Sequence, residues 1–315
     1  MREFSEISLR GVVWMMTECD RLARTAYAER MPLLISAQLR AVAQRLADAG
    51  VPDPLVDAEL LIGHVLGLGR GELQAAVVRG DGITDPDAER LALLVERRAA
   101  REPLQHLTGR AAFRHLELAV GPGVFVPRPE TETVVQFAID ALLESASAPP
   151  IGVDLGTGSG AIALAMATEV PHARVHAVER SADAHAWAER NTRGVGNLTL
   201  VLGDLATAFD ELRGTVDVVI SNPPYVPDDA IPRDPEVRLH DPAQALYGGA
   251  DGLDVVRVIS SRAQQLLHSG GLLVLEHGEL QGPAIREILT TDGWRAAATH
   301  QDLTRRDRAT TALRA

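Results

Sequence analysis

Ile151-Gly152-Val153-Asp154-Leu155-Gly156-Thr157-Gly158-Ser159-Gly160-Ala161 decides how the chain folds. An apolar run of strand length passes into a glycine-rich turn and then into 161–168, which has the composition of a buried helix. Glycines let the backbone turn tightly and approach a ligand with no Cβ in the way. Working outward, the pattern predicts strands at 174–179, 198–202, 216–221 and 272–276, and a helix at 182–193. Such alternation builds a parallel sheet with helices on both faces, whose ligand sites lie beyond the carboxyl ends of the strands. The segments 294–299 and 309–313 are expected to add a terminal antiparallel pair.

Upstream the texture is helical. Leu33, Leu34, Leu39, Val42, Ala43 and Leu46 recur at helical spacing, and Gly50 ends the run. A second helix is predicted at 54–66. A third begins at Thr84-Asp85-Pro86-Asp87, which supplies an N-cap, an early proline and first-turn acids. His64 and His106 read as structural. Phe113, Leu116, Leu118 and Val120 alternate with polar residues before Gly121-Pro122-Gly123 and Val124-Phe125-Val126, so a hairpin turning at the glycines is expected. It leads through Pro127-Arg128-Pro129-Glu130-Thr131-Glu132 into a helix at 133–143, and the small residues 145–150 read as a linker. The expected organisation is an extension at 1–30, dispensable or placed before a true start at Met31. A helical substrate-recognition domain at 31–110, a hairpin and linker at 111–132, and the chemistry-bearing domain at 133–315 follow.

Composition narrows the chemistry. All 31 basic residues among the 315 are arginine. Without lysine there is no Walker P-loop, no pyridoxal-phosphate Schiff base and no lysine nucleophile. One cysteine, Cys19, excludes an intramolecular disulfide and a cysteine-based zinc cluster. No metal site is expected. A net charge of −12 argues against broad duplex binding, so no stable nucleic-acid complex is expected. No run of eighteen apolar residues spans a membrane and no signal peptide is evident, so the expected compartment is the cytoplasm.

Candidate site residues fall at strand ends. Asp154, Gly156, Thr157, Gly158, Ser159 and Gly160 form a loop suited to a nucleotide-type cofactor. Glu179 ends the next strand where a ribose hydroxyl pair would be gripped, and Asp204 follows the third where an adenine edge would lie. Gly156-x-Gly158-x-x-Ala161 also fits a dinucleotide fingerprint, which keeps NAD in play. Asp154 and the extra Gly160 tilt the reading toward S-adenosylmethionine. Ser221-Asn222-Pro223-Pro224-Tyr225 closes the fourth strand, and two prolines cannot continue a ladder. The Asn222 side chain and the Pro223 carbonyl can accept both hydrogens of a planar NH2 group, with the Tyr225 ring against its face. An electrophilic methyl beside an NH2 pocket makes an amino-group methyltransferase.

With both motifs in place the chain resembles the protein-(glutamine-N5) methyltransferases that modify peptide chain release factors. The resemblance runs from about Leu33 to the C-terminus. It includes the Pro127–Glu132 turn, the 154–161 loop, Asn222 to Tyr225, the stretch 245–253, and Leu275-Glu276-His277-Gly278, whose role reads as support. It implies a class I adenosylmethionine-dependent fold, doubly wound and mostly parallel, behind a small helical bundle. Residues 156–160, Glu179 and Asn222 would contact the cofactor, and Asn222, Pro223, Pro224 and Tyr225 would hold the glutamine of a Gly-Gly-Gln loop. Two positions depart from the family pattern: Leu205 stands where an aromatic is common, and Arg305 where a glycine follows Asp302-Leu303-Thr304. Adenine-N6 and guanine-N2 nucleic-acid methyltransferases share the Asn-Pro-Pro-Tyr motif and remain the alternative. An NAD-dependent oxidoreductase and a catalytically silent cofactor-binding protein are further readings.

Overall fold

The computed structural model describes residues 33–315, so the expectations for 1–30 and Met31 lie outside the described residues. The chain forms two compact units, one through Ala100 and one from Arg101 to Ala315. In the first, α1 (Ile35–Asp48), α2 (Pro54–Leu66), α3 (Arg70–Arg79) and α4 (Asp85–Ala99) close on Leu46, Leu61, Ile62, Leu73 and Leu91, all buried. Leu33 and Leu34 do not begin α1. They form β1 (Leu33–Leu34), antiparallel to β2 (Gly82–Ile83). Thr84 caps α4 as expected, accepting from the Asp87 N–H at 3.3 Å. A buried Arg98–Asp57 ion pair at 2.6 Å ties α4 to α2.

The second unit opens with α5 (Leu104–Thr108), β3 (Arg110–Phe113) and β4 (Leu116–Ala119). The hairpin turns at Arg114 and His115, not at the 121–123 glycines, and 124–126 is not a strand. Arg114 takes the left-handed conformation at φ 54°. Its guanidinium is held by both oxygens of Glu169, at 2.5 and 2.6 Å, and by Gln136 at 2.7 Å. Those long-range partners offset the local strain, and no turn signature announces them.

Next come α6 (Pro129–Glu144), β5 (Ile151–Leu155), α7 (Ala161–Glu169), β6 (Arg174–Glu179), α8 (Ala182–Thr192), β7 (Leu198–Leu202) and β8 (Val216–Ser221). The rest of the unit is α9 (Pro235–His240), α10 (Ala243–Leu246), α11 (Asp254–Leu266), β9 (Leu267–Glu276), α12 (Gly282–Thr291), β10 (Arg295–Gln301) and β11 (Asp307–Leu313). The seven strands lie in the order β10-β11-β9-β8-β5-β6-β7. β9, β8, β5, β6 and β7 are mutually parallel; β11 runs against them and pairs antiparallel with both β9 and β10, which completes the expected terminal antiparallel pair. Apolar residues of β8 alternate between two buried clusters, Val218 and Ile220 under α6 and α7, Val216 and Val219 under α11 and α12, while Val153 and Leu155 of β5 join the second cluster. Residues 145–150 are not a boundary. The carboxylate of Asp217 accepts from the hydroxyls of Ser145 and Ser147 at 2.5 and 2.6 Å and from the Ile151 N–H at 2.7 Å, fastening the segment to β8. β5 has β6 on one side and β8 on the other, so the winding reverses between them, and a crevice opens beyond the carboxyl ends at that point.

Candidate active site

The Gly-rich loop is wired to the strand beside it. The Gly156 and Thr157 N–H groups both donate to the Val178 carbonyl at 3.0 Å, and Gly158 N–H donates to Glu179 Oε2 at 2.9 Å. The other Glu179 oxygen accepts from Ser181 N–H at 2.8 Å, where α8 begins. Gly156 and Gly158 have φ of 81° and 58°, and a Cβ built on either meets nothing within 4 Å. Both therefore border open space. Asp154 is fully buried beneath the loop, accepting the Thr157 hydroxyl at 2.5 Å, and burial pushes its carboxyl up to about 7. Asn191 of α8 donates to the carbonyls of Ser159 and Ala119, both at 2.9 Å, and joins the loop to the hairpin.

A cleft of about 610 Å³ runs over this loop. Gly156, Thr157, Gly158, Ser159, Glu179, Asp204, Leu205, Asn222, Pro224 and Tyr225 line it. Asp154, Gly160 and Pro223 are not on its wall. Asp154 supports from below, and Pro223 is buried beside the cleft. Leu205 packs against the apolar cluster below β5, filling its place in the wall without an aromatic ring. The 204–210 turn is gripped from α11 by Arg262, 1% exposed, whose guanidinium donates to the Thr207 carbonyl at 3.2 Å and to the Ala208 carbonyl.

On the other side of the cleft, Asn222 Nδ2 donates to Thr131 Oγ1 of α6 at 3.4 Å. Tyr225 is fixed by its backbone. Its carbonyl accepts from Gln281 Nε2 at 2.8 Å, and Gln281 Oε1 accepts from Gly278 N–H at 2.9 Å. The 245–253 stretch is the matching clamp: Val226 N–H donates to the Leu246 carbonyl at 2.8 Å and Gly248 N–H to the Val226 carbonyl at 2.9 Å. At Gly252 a Cβ would lie 2.2 Å from the Tyr225 carbonyl oxygen, so only glycine permits the approach. Burial and the nearby Glu276 push the Tyr225 hydroxyl up to about 12, so the ring serves as a neutral face.

Sequence reasoning missed how far the Pro127–Glu132 turn enters this cleft. Phe125, Arg128, Glu130 and Thr131 all line it. Arg128 stacks 4.9 Å from the Phe125 ring centroid and pairs with Asp241 at 2.6 Å, pinning the segment that carries α9 and α10. The prolines and acids of the turn were visible; the 113-residue separation from Asp241 left no local signal.

A mostly parallel seven-stranded sheet with one reversed strand, and a crevice floored by a glycine loop and edged by Asn-Pro-Pro-Tyr, defines a class I methyltransferase domain. The hMettl16 catalytic domain shares this fold, at a TM-score of 0.50 and 17% identity over 73% of this chain and 82% of that one. Residues 37–109 match the family model described as PrmC N-terminal domain, and residues 116–245 that described as methyltransferase small domain. The chain belongs to the release factor glutamine methyltransferase family: it is 52% identical to the member from Streptomyces coelicolor over 90% of this chain and 99% of that protein. It is 44% identical to the member from Bifidobacterium longum over 88% and 98%. A 4-amino-L-phenylalanine/4-methylamino-L-phenylalanine methyltransferase from Streptomyces pristinaespiralis is 39% identical over 77% of this chain and 82% of that protein. The dinucleotide reading of the glycine loop gives way to these findings.

Proposed function

We propose that the chain methylates the side-chain amide nitrogen of the glutamine in the Gly-Gly-Gln motif of peptide chain release factors, with S-adenosylmethionine as donor. The observation that carries this is one continuous cleft joining the glycine loop to Asn222, Pro224 and Tyr225. The residues fit the donor: the loop faces open space at Gly156 and Gly158, and Glu179 keeps lone pairs for hydroxyl donors beyond its two backbone bonds. In this reading Thr157, Ser159, Asp204 and Leu205 complete the cofactor wall, with Asp154 and Gly160 holding the loop's shape. When bound, the donor supplies an electrophilic methyl on a sulfonium.

An amide nitrogen is a poor nucleophile because its lone pair is delocalised into the carbonyl. In this reading Asn222 Oδ1 accepts one amide N–H at the cleft wall and the Pro223 carbonyl, just behind that wall, accepts the other, and both bonds strengthen as positive charge develops on nitrogen. Tyr225 fixes the amide plane, and the rigid clamp behind it fixes Tyr225. The methylated nitrogen releases one proton to water, so no general base is needed beforehand. The helical unit recognises the release factor, and the chain acts in the cytoplasm.

Labelled S-adenosylmethionine offered with a release factor, duplex DNA or 4-amino-L-phenylalanine tests the proposal. Label is expected on the release factor alone and absent when its motif glutamine is alanine. Label on DNA or on the arylamine instead would replace this reading.

A further inference from the structure

β8 and β9 run parallel with Ser221 opposite Leu275, so Asn222 and Glu276 leave the two strands side by side. Ala309 of β11 lies opposite Glu276 on its other flank. Glu276 is 1% exposed and its Oε2 has no hydrogen-bond partner among the described residues. A buried carboxylate with an unfilled oxygen costs stability, which makes it a weak structural device.

Its surroundings give it another use. Thr131 is 4% exposed and its oxygen accepts from Asn222 Nδ2, leaving the hydroxyl hydrogen to donate elsewhere. The Thr131 and Asn222 side chains both favour the charged form of Glu276. An ionised carboxylate only accepts, so it selects the Asn222 orientation whose NH2 turns inward and whose Oδ1 is left for the cleft. A protonated carboxyl can donate, and it tolerates the flipped amide that would confront a substrate NH2 with another donor. Resting on the function proposed above, we propose that Glu276 is a positioning residue that holds the Asn222 amide, through Thr131 and directly, with Oδ1 toward the methyl acceptor.

The groups acting on Glu276 are few. Arg308 of β11 favours its charge, although that guanidinium also donates to the His277 carbonyl at 3.3 Å and lies 3.6 Å from Asp302. Glu130 of α6 opposes the charge, and Tyr225 is neutral. His277 points away, donating from Nδ1 to the Gly278 carbonyl at 2.8 Å and accepting from Thr310 at Nε2, and burial pushes its pKa down. Burial dominates at Glu276 and pushes the carboxyl up to about 7. The competent, ionised form is therefore lost as pH falls through that value.

The test measures kcat on a purified release factor across pH for the full chain, Glu276→Gln, Thr131→Val and Thr131→Ser, with calorimetric S-adenosylmethionine binding in parallel. For the unaltered protein kcat is expected to fall about tenfold per pH unit below about 7. Glu276→Gln should lower kcat about tenfold or more at alkaline pH and flatten the acidic limb, with cofactor Kd within about twofold. Thr131→Val should lower kcat similarly, and Thr131→Ser should restore it. An unchanged kcat and acidic limb in Glu276→Gln overturns the role. A wild-type profile in Thr131→Val does so too, even if Glu276→Gln does not fold. An unaltered protein that binds the cofactor but never labels the factor overturns the functional reading, and this role with it.

Discussion

Gly158 N–H donates to Glu179 Oε2 across 2.9 Å, so the carboxylate that ends β6 also shapes the loop that follows β5. One side chain thus lines the cleft and sets the loop's conformation, and on the proposed function it also grips the cofactor. Glu179→Ala removes the hydroxyl acceptor and frees the Gly158 and Ser181 N–H groups together. The apparent KM for S-adenosylmethionine is expected to rise roughly 10- to 100-fold, corresponding to about 1.5–3 kcal/mol for bonds to a charged group. The KM for the release factor should change far less, and steady-state kinetics with each substrate varied in turn checks the split.

Arg262 is the counterpart behind the turn that carries Asp204 and Leu205. Its buried guanidinium satisfies the Thr207 and Ala208 carbonyls and pairs with Asp210 at 2.8 Å. Arg262→Met keeps most of the volume and leaves those carbonyls without their donor. Stability should fall by roughly 2–4 kcal/mol, read as a denaturation midpoint. Cofactor affinity should fall as well, because the Asp204 turn loses its anchor.

Both residues mark where sequence reading works and where it stops. Glu179 was legible because its position depends only on strand order and on the end of a β-branched run. Arg262 was not, since an arginine in a helix reads as solvated surface unless carbonyls 54 and 55 residues away are known to meet it. The same asymmetry runs through the fold. The sheet strands and the helices α6, α7 and α8 follow apolar periodicity and were placed to within a few residues. The Arg114 turn depends on Glu169 and Gln136, and was therefore missed. α9, α10, α11 and α12 went unread between the motifs. Asn222 and the glycine loop announced themselves, whereas Thr131 and Glu276 became site residues only once α6 and β9 brought them together.

Asp154 gives stability a pH dependence of definite sign. Burial raises its folded pKa to about 7, well above the ordinary carboxylate range, so its neutral form is favoured in the fold. The corresponding stability is fully present below the unfolded pKa of about 4 and is lost as pH rises through about 7. Asp154→Asn has no proton to lose. Relative to that variant, the unaltered protein should show a falling melting temperature between about pH 4 and pH 8, by up to a few kcal/mol in equivalent free energy. A pair of parallel curves would show that Asp154 stays ionised throughout.

Asn222 tests the acceptor side directly. Asn222→Ala leaves one substrate N–H without its acceptor as charge develops on the nitrogen. The loss in kcat/KM is expected at roughly 1–3 kcal/mol or more, about 5- to 150-fold, with S-adenosylmethionine binding largely kept. Single-turnover methyl transfer at saturating cofactor isolates this step. Wild-type transfer by the variant would remove Asn222 from the chemistry.

Gly252 separates the shape of the pocket from its polar groups. A methyl there would lie 2.2 Å from the Tyr225 carbonyl oxygen and 2.8 Å from Gln281 Nε2, at a φ of 74° that alanine rarely adopts. Either the 245–253 clamp withdraws or the Gln281–Tyr225 bond breaks, and both displace the Tyr225 ring. Gly252→Ala touches neither the glycine loop nor the Glu179 network. It should therefore lower kcat on the release factor by about 10²-fold, as expected for a misplacement near 1 Å, while calorimetry finds cofactor affinity close to wild type. Loss of cofactor binding together with activity would instead mean that the clamp supports the whole cleft, and the assignment of Tyr225 to the acceptor alone would have to be withdrawn.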